Sequence, residues 1–550
     1  MLRYSPASQL SFDNFSVPSL QKLNPKNRWV IMADLIPWDT LSMVFVASPT
    51  APRLNGPGRP TLDLRLVMGA LFVQHIEGLS DERTLELINE NVYVQFFCGF
   101  PGFQVTPAFD SSSLTHWRAW LGDSGAAALS ETLADIFEQR RMAERNDNSS
   151  TEESDDEDGD ISKGESTDEV SATTAEDQPA SKSQPLKPNQ GSLLLDATCA
   201  PANISYPTDT GLLNHARLSL ESIIDILWSA CVLRGCAPSA KPRTYRTKAR
   251  KAFAGFSRKR RPSMKLIRKQ RRRQLQWVER DLKHVDSLYA LLIEIDAHQD
   301  VLSAAQYKRL LVCSELARQQ REMLDAKSYR CDHRIVSLDQ PHIRPIVRGK
   351  AGARVEFGPK LDVSLSNGIA RVEAASFEAY HEGCVAIAAC ERYAQRHGYY
   401  PAKIFVDKAY LSNTNRAYFK LCGIIYVAKP QGRPPKDPAK RAIYDAAMRE
   451  SQTPGERNPI EGWFGLAKRR YRLGNLMSRK AKHAIGELFL VTMAVNIMGE
   501  LARVLLCLFY TLHNAQIEVF GSASNNRAAK STYSNLQWPV QGRNLTIRIS

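Results

Sequence analysis

Two short apolar runs, each closing on an aspartate, constrain this chain more than any other feature. Leu193-Leu194-Leu195-Asp196 follows Gly191-Ser192, and Ile404-Phe405-Val406-Asp407 follows Ala402-Lys403. Apolar runs of this length bounded by turn signals read as buried strands. Each would deliver a carboxylate where a strand leaves its sheet. The two aspartates lie 211 residues apart (407 − 196), so a large segment must be accommodated between them. A third acid, Glu461, comes 54 residues after the second (461 − 407), within RNPIEGWFGLAKRRYR at 457–472. Asn458, Pro459 and Glu461 are placed as N-cap, first-turn proline and capping-box acid of a helix. On a helix turning 100° per residue, Glu461, Lys468 and Arg472 share one face, and Gly465 leaves room on it. A carboxylate in a basic surround suits a site holding a divalent cation and a phosphodiester together. Taken alone, helix capping is the simpler reading of Glu461.

Charge narrows the partner. The 550 residues carry a formal net charge of +15, and residues 147–190 hold 13 acids and three lysines, so the remainder carries +25. A folded chain this basic meets a polyanion, with nucleic acid the first candidate and an anionic membrane surface the second. The ten cysteines include no Cys-x-x-Cys pair, which argues against a zinc site or a disulfide framework and for reduced intracellular thiols. The opening MLRYSPASQLSFDNF lacks the apolar core of a signal peptide. The apolar stretch 484–512 is interrupted by Glu487, Asn496, Glu500 and Arg503, and its longest uncharged run, Leu488 to Gly499, is too short to span a membrane. It is expected as a buried helix, with no membrane association.

The organisation follows from composition and period. After the turn-rich Gly56–Pro60, helical spacing recurs through Leu62–Ile76, from Ser80 and from Ser111 to about Arg141. Residues 1–143 are expected as an N-terminal helical, DNA-binding domain, built either as a helix-turn-helix reader or as an ordinary bundle. Residues 144–190 lack apolar periodicity and are expected as a disordered acidic linker. Residues 191–515 form the core domain, interrupted at 236–332 by a basic helical insertion, and 516–550 form a polar tail. Within the insertion, 241–273 hold 16 Lys or Arg and no acid, with Tyr245, Phe253 and Phe256 interleaved. Arg258, Lys259, Arg260, Arg261, Arg271, Arg272 and Arg273 are the expected DNA-backbone contacts; a solvated arm is the alternative. From 354 to 372 the period changes to two, with hairpin signals at Gly358-Pro359 and Asn367-Gly368. Lys408 either touches phosphate or is solvated. Trp463 and Tyr471 either stack on a displaced base or pack in the core.

Three carboxylates on neighbouring elements can hold two Mg²⁺ ions, which prefer hard oxygen ligands. In this arrangement the residues resemble DDE transposases of bacterial insertion sequences, in the insertion-sequence-five group. The resemblance rests on LLLDATCAP around Asp196, FVDKAY around Asp407 and RNPIEGWFGLAKRRYRLG around Glu461. The last matches the pattern Arg, three residues, Glu, six residues, Lys at Arg457, Glu461 and Lys468. A fuller pattern has Tyr three positions before that Arg, where this chain has Pro454. GRPTLDLRLVMGALFVQHIEGLSDERTLELI resembles the helical domain preceding the catalytic core. The resemblance implies an α/β fold with an RNase H-like mixed sheet flanked by helices, and Asp196 and Asp407 on adjacent central strands. It implies that Asp196, Asp407 and Glu461 are catalytic and bind two Mg²⁺ ions (Mn²⁺ being a possible substitute), and that Arg457 and Lys468 contact DNA. The basic face adds Arg472, and Lys408 adjoins the second Asp. The expected activity is cleavage of element ends and their joining to target DNA. The expected partner is double-stranded DNA held by a homodimer or larger assembly in the bacterial cytoplasm, at the nucleoid. An inactive transposase-derived DNA-binding protein and a nuclease without strand transfer are the alternatives.

Overall fold

In the computed structural model, which describes residues 2–3, 22–49, 62–149, 188–347, 355–429, 433–451, 458–522, 536–540 and 543–547, the chain opens with six helices. These are α1 (Arg28–Leu35), α2 (Trp38–Ala47), α3 (Leu64–Glu77), α4 (Asp81–Glu90), α5 (Val92–Phe97) and α6 (Ser113–Ser149). Strand β1 (Ser192–Cys199) follows, then α7 (Asp209–Leu233), α8 (Arg246–Ser257), α9 (Met264–Glu294) and α10 (Ala304–Asp325). The second half comprises β2 (Lys360–Ser366), β3 (Ile369–Ser376), α11 (Ala386–His397), β4 (Lys403–Phe405), α12 (Asn413–Leu421), β5 (Ile425–Val427), α13 (Pro438–Ser451), α14 (Asn458–Arg470) and α15 (Ala481–Ser522).

Both apolar runs are strands of one mixed sheet, ordered β3-β2-β1-β4-β5. β2 is antiparallel to β1 and β3, while β4 and β5 run parallel to β1 and to each other. The antiparallel β2–β3 pair closes through Asn367 and Gly368, both at positive φ (50° and 75°), as an Asn-Gly hairpin requires. The parallel pairs need crossovers, supplied by α11 and α12. At Gly358 the chain entering β2 brushes the chain leaving β1: a Cβ there would sit 2.1 Å from the Ala200 carbonyl oxygen.

The faces of the sheet are divided by strand alternation. Leu193, Leu195, Ala197, Ile404 and Val406 pack under α11 and α12. Leu194, Phe405, Leu361 and Val363 join a larger core with α14, α15 and the N-terminal helices. The N-terminal domain therefore shares its core with the sheet. Helix α3 is buried at every position from Leu64 to Ile76, and α4 turns Glu82, Glu86 and Glu90 to solvent. A helix buried all round cannot enter a groove, and an acidic face repels phosphate.

The edge strand β3 is covered by polar groups set in apolar helices. Buried Arg371 reaches Glu131 (3.2 Å), Asp135 (2.6 Å) and Glu138 (2.8 Å) of α6. Asn496 of α15 accepts from the Ala370 N–H at 3.0 Å and donates to its C=O at 2.8 Å, as a neighbouring strand would. Helix α15 is apolar and long enough to cross a membrane by composition, but here it packs along α6, α3 and β3. The expected acidic linker is described only at its ends. Helix α6 continues to Ser149, anchored where Glu144 accepts from Arg503 at 3.2 Å, and 150–187 lie outside the described residues. The tail expected from 516 contains the end of α15 and an antiparallel hairpin of Leu536–Val540 with Arg543–Ile547.

The insertion has its own core, running from Leu212 to Leu338. It is wider than the expected 236–332 because α7 supplies one wall. Inside it, Asp281 is fully buried and neither carboxylate oxygen has a hydrogen-bond partner among the described residues. Burial, reinforced by nearby Glu221, pushes its carboxyl up to about 7.

Two outcomes follow. Arg371→Met removes the close cationic partner of the buried Glu138 carboxylate and should cost about 3 kcal/mol in urea unfolding. Because the folded Asp281 carboxyl titrates above its ordinary 3.8, its stabilising contribution is full below that value and is lost as pH rises through about 7. Asp281→Asn should remove that loss, leaving the variant more stable than the parent at pH 8 by thermal unfolding.

Candidate active site

The register of β1 against β4 assembles the first two acids. Ser192, Leu193 and Leu194 pair with Lys403, Ile404 and Phe405. Two residues beyond the last pair, Asp196 and Asp407 stand at the same level on adjacent parallel strands. Asp407 keeps an extended backbone (φ −77°, ψ 160°), so alternation carries both side chains to the face of Leu194 and Phe405. Asp196 is not at the tip of its strand: β1 continues to Cys199 because β2 pairs with it along its length. The tip belongs to the β4 side, where the neighbouring ladder has ended. Both aspartates are half-buried. Each accepts from the next backbone N–H at 2.8 Å, Ala197 for Asp196 and Lys408 for Asp407.

Helix α14 packs over β1 and β2 on that same face. Ile460, Trp463, Phe464 and Ala467 are its buried side. Trp463 and Tyr471 are core residues rather than exposed stacking platforms, although the Trp463 indole N–H has no hydrogen-bond partner among the described residues. Glu461 lies in the first turn with its side chain exposed, and Lys468 is half-buried in the last turn. A Cβ at Gly462 would meet nothing within 4 Å, and at Gly465 only the Arg469 guanidinium at 3.5 Å. The outer side of this helix is open to a bulky ligand. Among the described residues no three acidic, His or Cys side chains lie close enough to hold one metal ion. The structure therefore brings Asp196 and Asp407 together and leaves Glu461 on the helix above them.

Two expectations on basic residues change. Arg472 does not share the Glu461 face: α14 ends at Arg470, and Arg472 turns into positive φ (63°) and donates to the Leu79 carbonyl at 3.1 Å. Arg271 is buried, donating to Gln320 at 2.8 Å, reaching Asp209 at 3.6 Å and lying over the Tyr329 ring. It joins α9 to α10 and the start of α7 and is closed to DNA, because one side of an amphipathic helix must face its own core. Arg273 is half-buried, its guanidinium 5.0 Å from the Trp277 ring centroid. Arg258, Lys259, Arg260 and Arg261 fill the exposed turn between α8 and α9, and Arg272 is exposed within α9; none forms an ion pair among the described residues. Lys408 is exposed beside Asp407. Arg457 lies outside the described residues, as does Pro454.

The sequence reading missed a polar cluster under the site. Asp362 of β2 is fully buried, cross-strand from Ala197, and accepts from the hydroxyls of Tyr380 and Tyr410. Burial pushes its carboxyl up to about 6, against the pull of the two hydroxyls. Lys360 bonds Glu382 at 2.9 Å and the Tyr380 carbonyl at 3.0 Å. The strand reads KLDVSLS, and its alternation of apolar and polar residues gives Asp362 the look of a solvated face, so the sequence carried no signal of its burial.

Family models match two parts of the chain. Residues 18–120 match the model of a transposase domain (DUF772), and residues 404–498, which include Asp407 and Glu461, match that of a transposase DDE domain. A Rhizobium meliloti protein, "Uncharacterized protein ORF8 in nfe locus", is 36% identical over 107 residues, covering 20% of this chain. The chain spans about half (49%) of that relative's length. No solved structure matches the chain significantly. One transposase-domain match thus lies in the N-terminal helices and a second spans Asp407 and Glu461, while Asp196 lies outside both.

Proposed function

We propose that this chain is a DNA transposase with an RNase H-like core that cuts the ends of an insertion sequence and joins them to target DNA. The observation that carries the reading is the β1–β4 register, which sets Asp196 and Asp407 side by side on the face covered by the helix bearing Glu461. The strand order, with β2 alone running against the others, supports the RNase H-like assignment.

The donor chemistry fits a hard divalent cation. Three carboxylates, two of them half-buried at a sheet end, offer oxygen ligands of the type Mg²⁺ or Mn²⁺ takes. Asp196 and Asp407 would hold the first contacts and Glu461 would complete them when DNA is bound. Two such ions, when bound, supply Lewis acidity at the attacking and leaving oxygens of the phosphodiester. The chain's own residues position and neutralise. Lys468, Lys408 and Arg457 would hold phosphates near the scissile bond, and the open side at Gly462 and Gly465 admits the strand. The exposed turn Arg258–Arg261 with Arg272 would neutralise duplex backbone at a distance. Holding two element ends at once calls for a homodimer or larger assembly, acting on the nucleoid in the bacterial cytoplasm and not at a membrane.

DNA carrying the repeats that flank the coding region tests this. In Mg²⁺ the parent chain should nick at the repeat end. Asp196→Asn, Asp407→Asn and Glu461→Gln should each lower cleavage roughly a hundred-fold or more while retaining DNA binding in a gel-shift assay. Undiminished cleavage by Asp196→Asn would contradict the assignment. Replacing Arg258, Lys259, Arg260 and Arg261 with Ala should weaken binding and flatten the log K versus log salt slope by about 0.9 per lost phosphate contact.

A further inference from the structure

We propose that Asp362, with Tyr410 and Tyr380, is a positioning clamp beneath the sheet that fixes the turn carrying Asp407, and so sets how tightly the Asp196–Asp407 pair holds a divalent cation. This rests on the metal-binding reading of those two aspartates.

The geometry links the two catalytic strands through one buried carboxylate. Asp407 opens a short 3-10 turn, Lys408–Tyr410, and its carbonyl accepts from the Tyr410 N–H at 3.0 Å. Tyr410 is fully buried beneath the sheet, on the α11–α12 side, opposite the face that displays Asp407. Its hydroxyl donates to one oxygen of Asp362. Its carbonyl accepts from the Asn415 side chain at 2.7 Å, and the same amide group donates to the Gly383 carbonyl at 2.7 Å. Both the side chain and the backbone of Tyr410 are thus pinned, three residues after Asp407.

The other end of the clamp is β1. Asp362 pairs with Ala197, and the next pair is Asp196 with Val363. Alternation turns Asp362 to the face opposite Asp196, so it supports the strand pair from behind without reaching the cation. Its second oxygen accepts from Tyr380, whose carbonyl is held by Lys360. Apolar side chains would fill this space without burying a charge-bearing group. A carboxylate with two hydroxyl donors fixes direction, which packing alone does not. Groups that orient ligands in this way tune metal affinity as the ligands themselves do.

The test is Mn²⁺ titration of the full chain without DNA, followed by the EPR signal of free Mn²⁺, with thermal unfolding in parallel. Tyr410→Phe removes one hydroxyl and keeps the ring. Its Mn²⁺ affinity should fall about ten-fold or more, and Asp362→Asn should fall likewise. The double variant should be no worse than the weaker single one, because both act through one hydrogen bond. Tyr380→Phe, which leaves the Asp407 turn untouched, should show a smaller fall and serves if either of the others does not fold. Parent-like Mn²⁺ affinity in all folded variants, with Asp407→Asn still weakened, would overturn the clamp and leave the metal site standing. Parent-like affinity in Asp407→Asn would overturn the metal site, and the clamp with it.

Discussion

The alignment of β1 with β4 is the constraint on which the rest of the site depends. Side chains alternate along a strand, so a slip of one residue would send Asp407 to the opposite face from Asp196. The pairing of Leu194 with Phe405 prevents that slip: each is buried against α14 and its neighbours, while Leu193, Leu195, Ile404 and Val406 are buried beneath α11 and α12. Apolar burial on both faces fixes which face each aspartate shows. Hydrophobic packing thus places the acids, and the acids are left half-exposed because β4 ends at Phe405 while β1 goes on.

The N-terminal helices bear on the same sheet. They share its larger core, and α6 and α15 close the β3 edge with Arg371 and Asn496. An open strand edge invites pairing with another chain, and here side chains occupy those hydrogen-bonding groups. The three acids facing Arg371 and the bidentate amide of Asn496 give this junction direction as well as burial. The groups that make this junction, at 131–138 of α6 and at Asn496 of α15, lie beyond residues 18–120 that match the transposase domain (DUF772). The helical insertion differs, since it carries a separate core and its most basic turn faces solvent.

Much of this was legible in the residues. The two apolar runs and the Asn367-Gly368 hairpin each have a local cause, burial or positive φ. What escaped notice depends on contacts across the chain. Arg271 sits in a run of cations, and only the packing of α9 on α10 and α7 shows that it points inward. Arg472 looks like a continuation of α14 until the helix ends at Arg470. Asp362 meets Tyr410 across 48 residues, a pairing no spacing rule announces. Of the polar residues that interrupt the apolar α15 signal, Asn496 binds the sheet edge, Glu487 accepts from the Met477 and Ser478 N–H groups, and Glu500 and Arg503 tie α15 to α6.

In the proposed site Asp196, Asp407 and Glu461 surround one metal-binding place, with Glu461 on α14 over the sheet. Iron-directed cleavage of the protein backbone measures this directly. Fe²⁺ is substituted for Mg²⁺ in the DNA-bound chain, peroxide and ascorbate are added, and the fragment ends are mapped. Three clusters of cuts are expected, near residues 196, 407 and 461, all suppressed by excess Mg²⁺. Cuts near 196 and 407 with none near 461, or cuts confined to other segments, would contradict the proposed site.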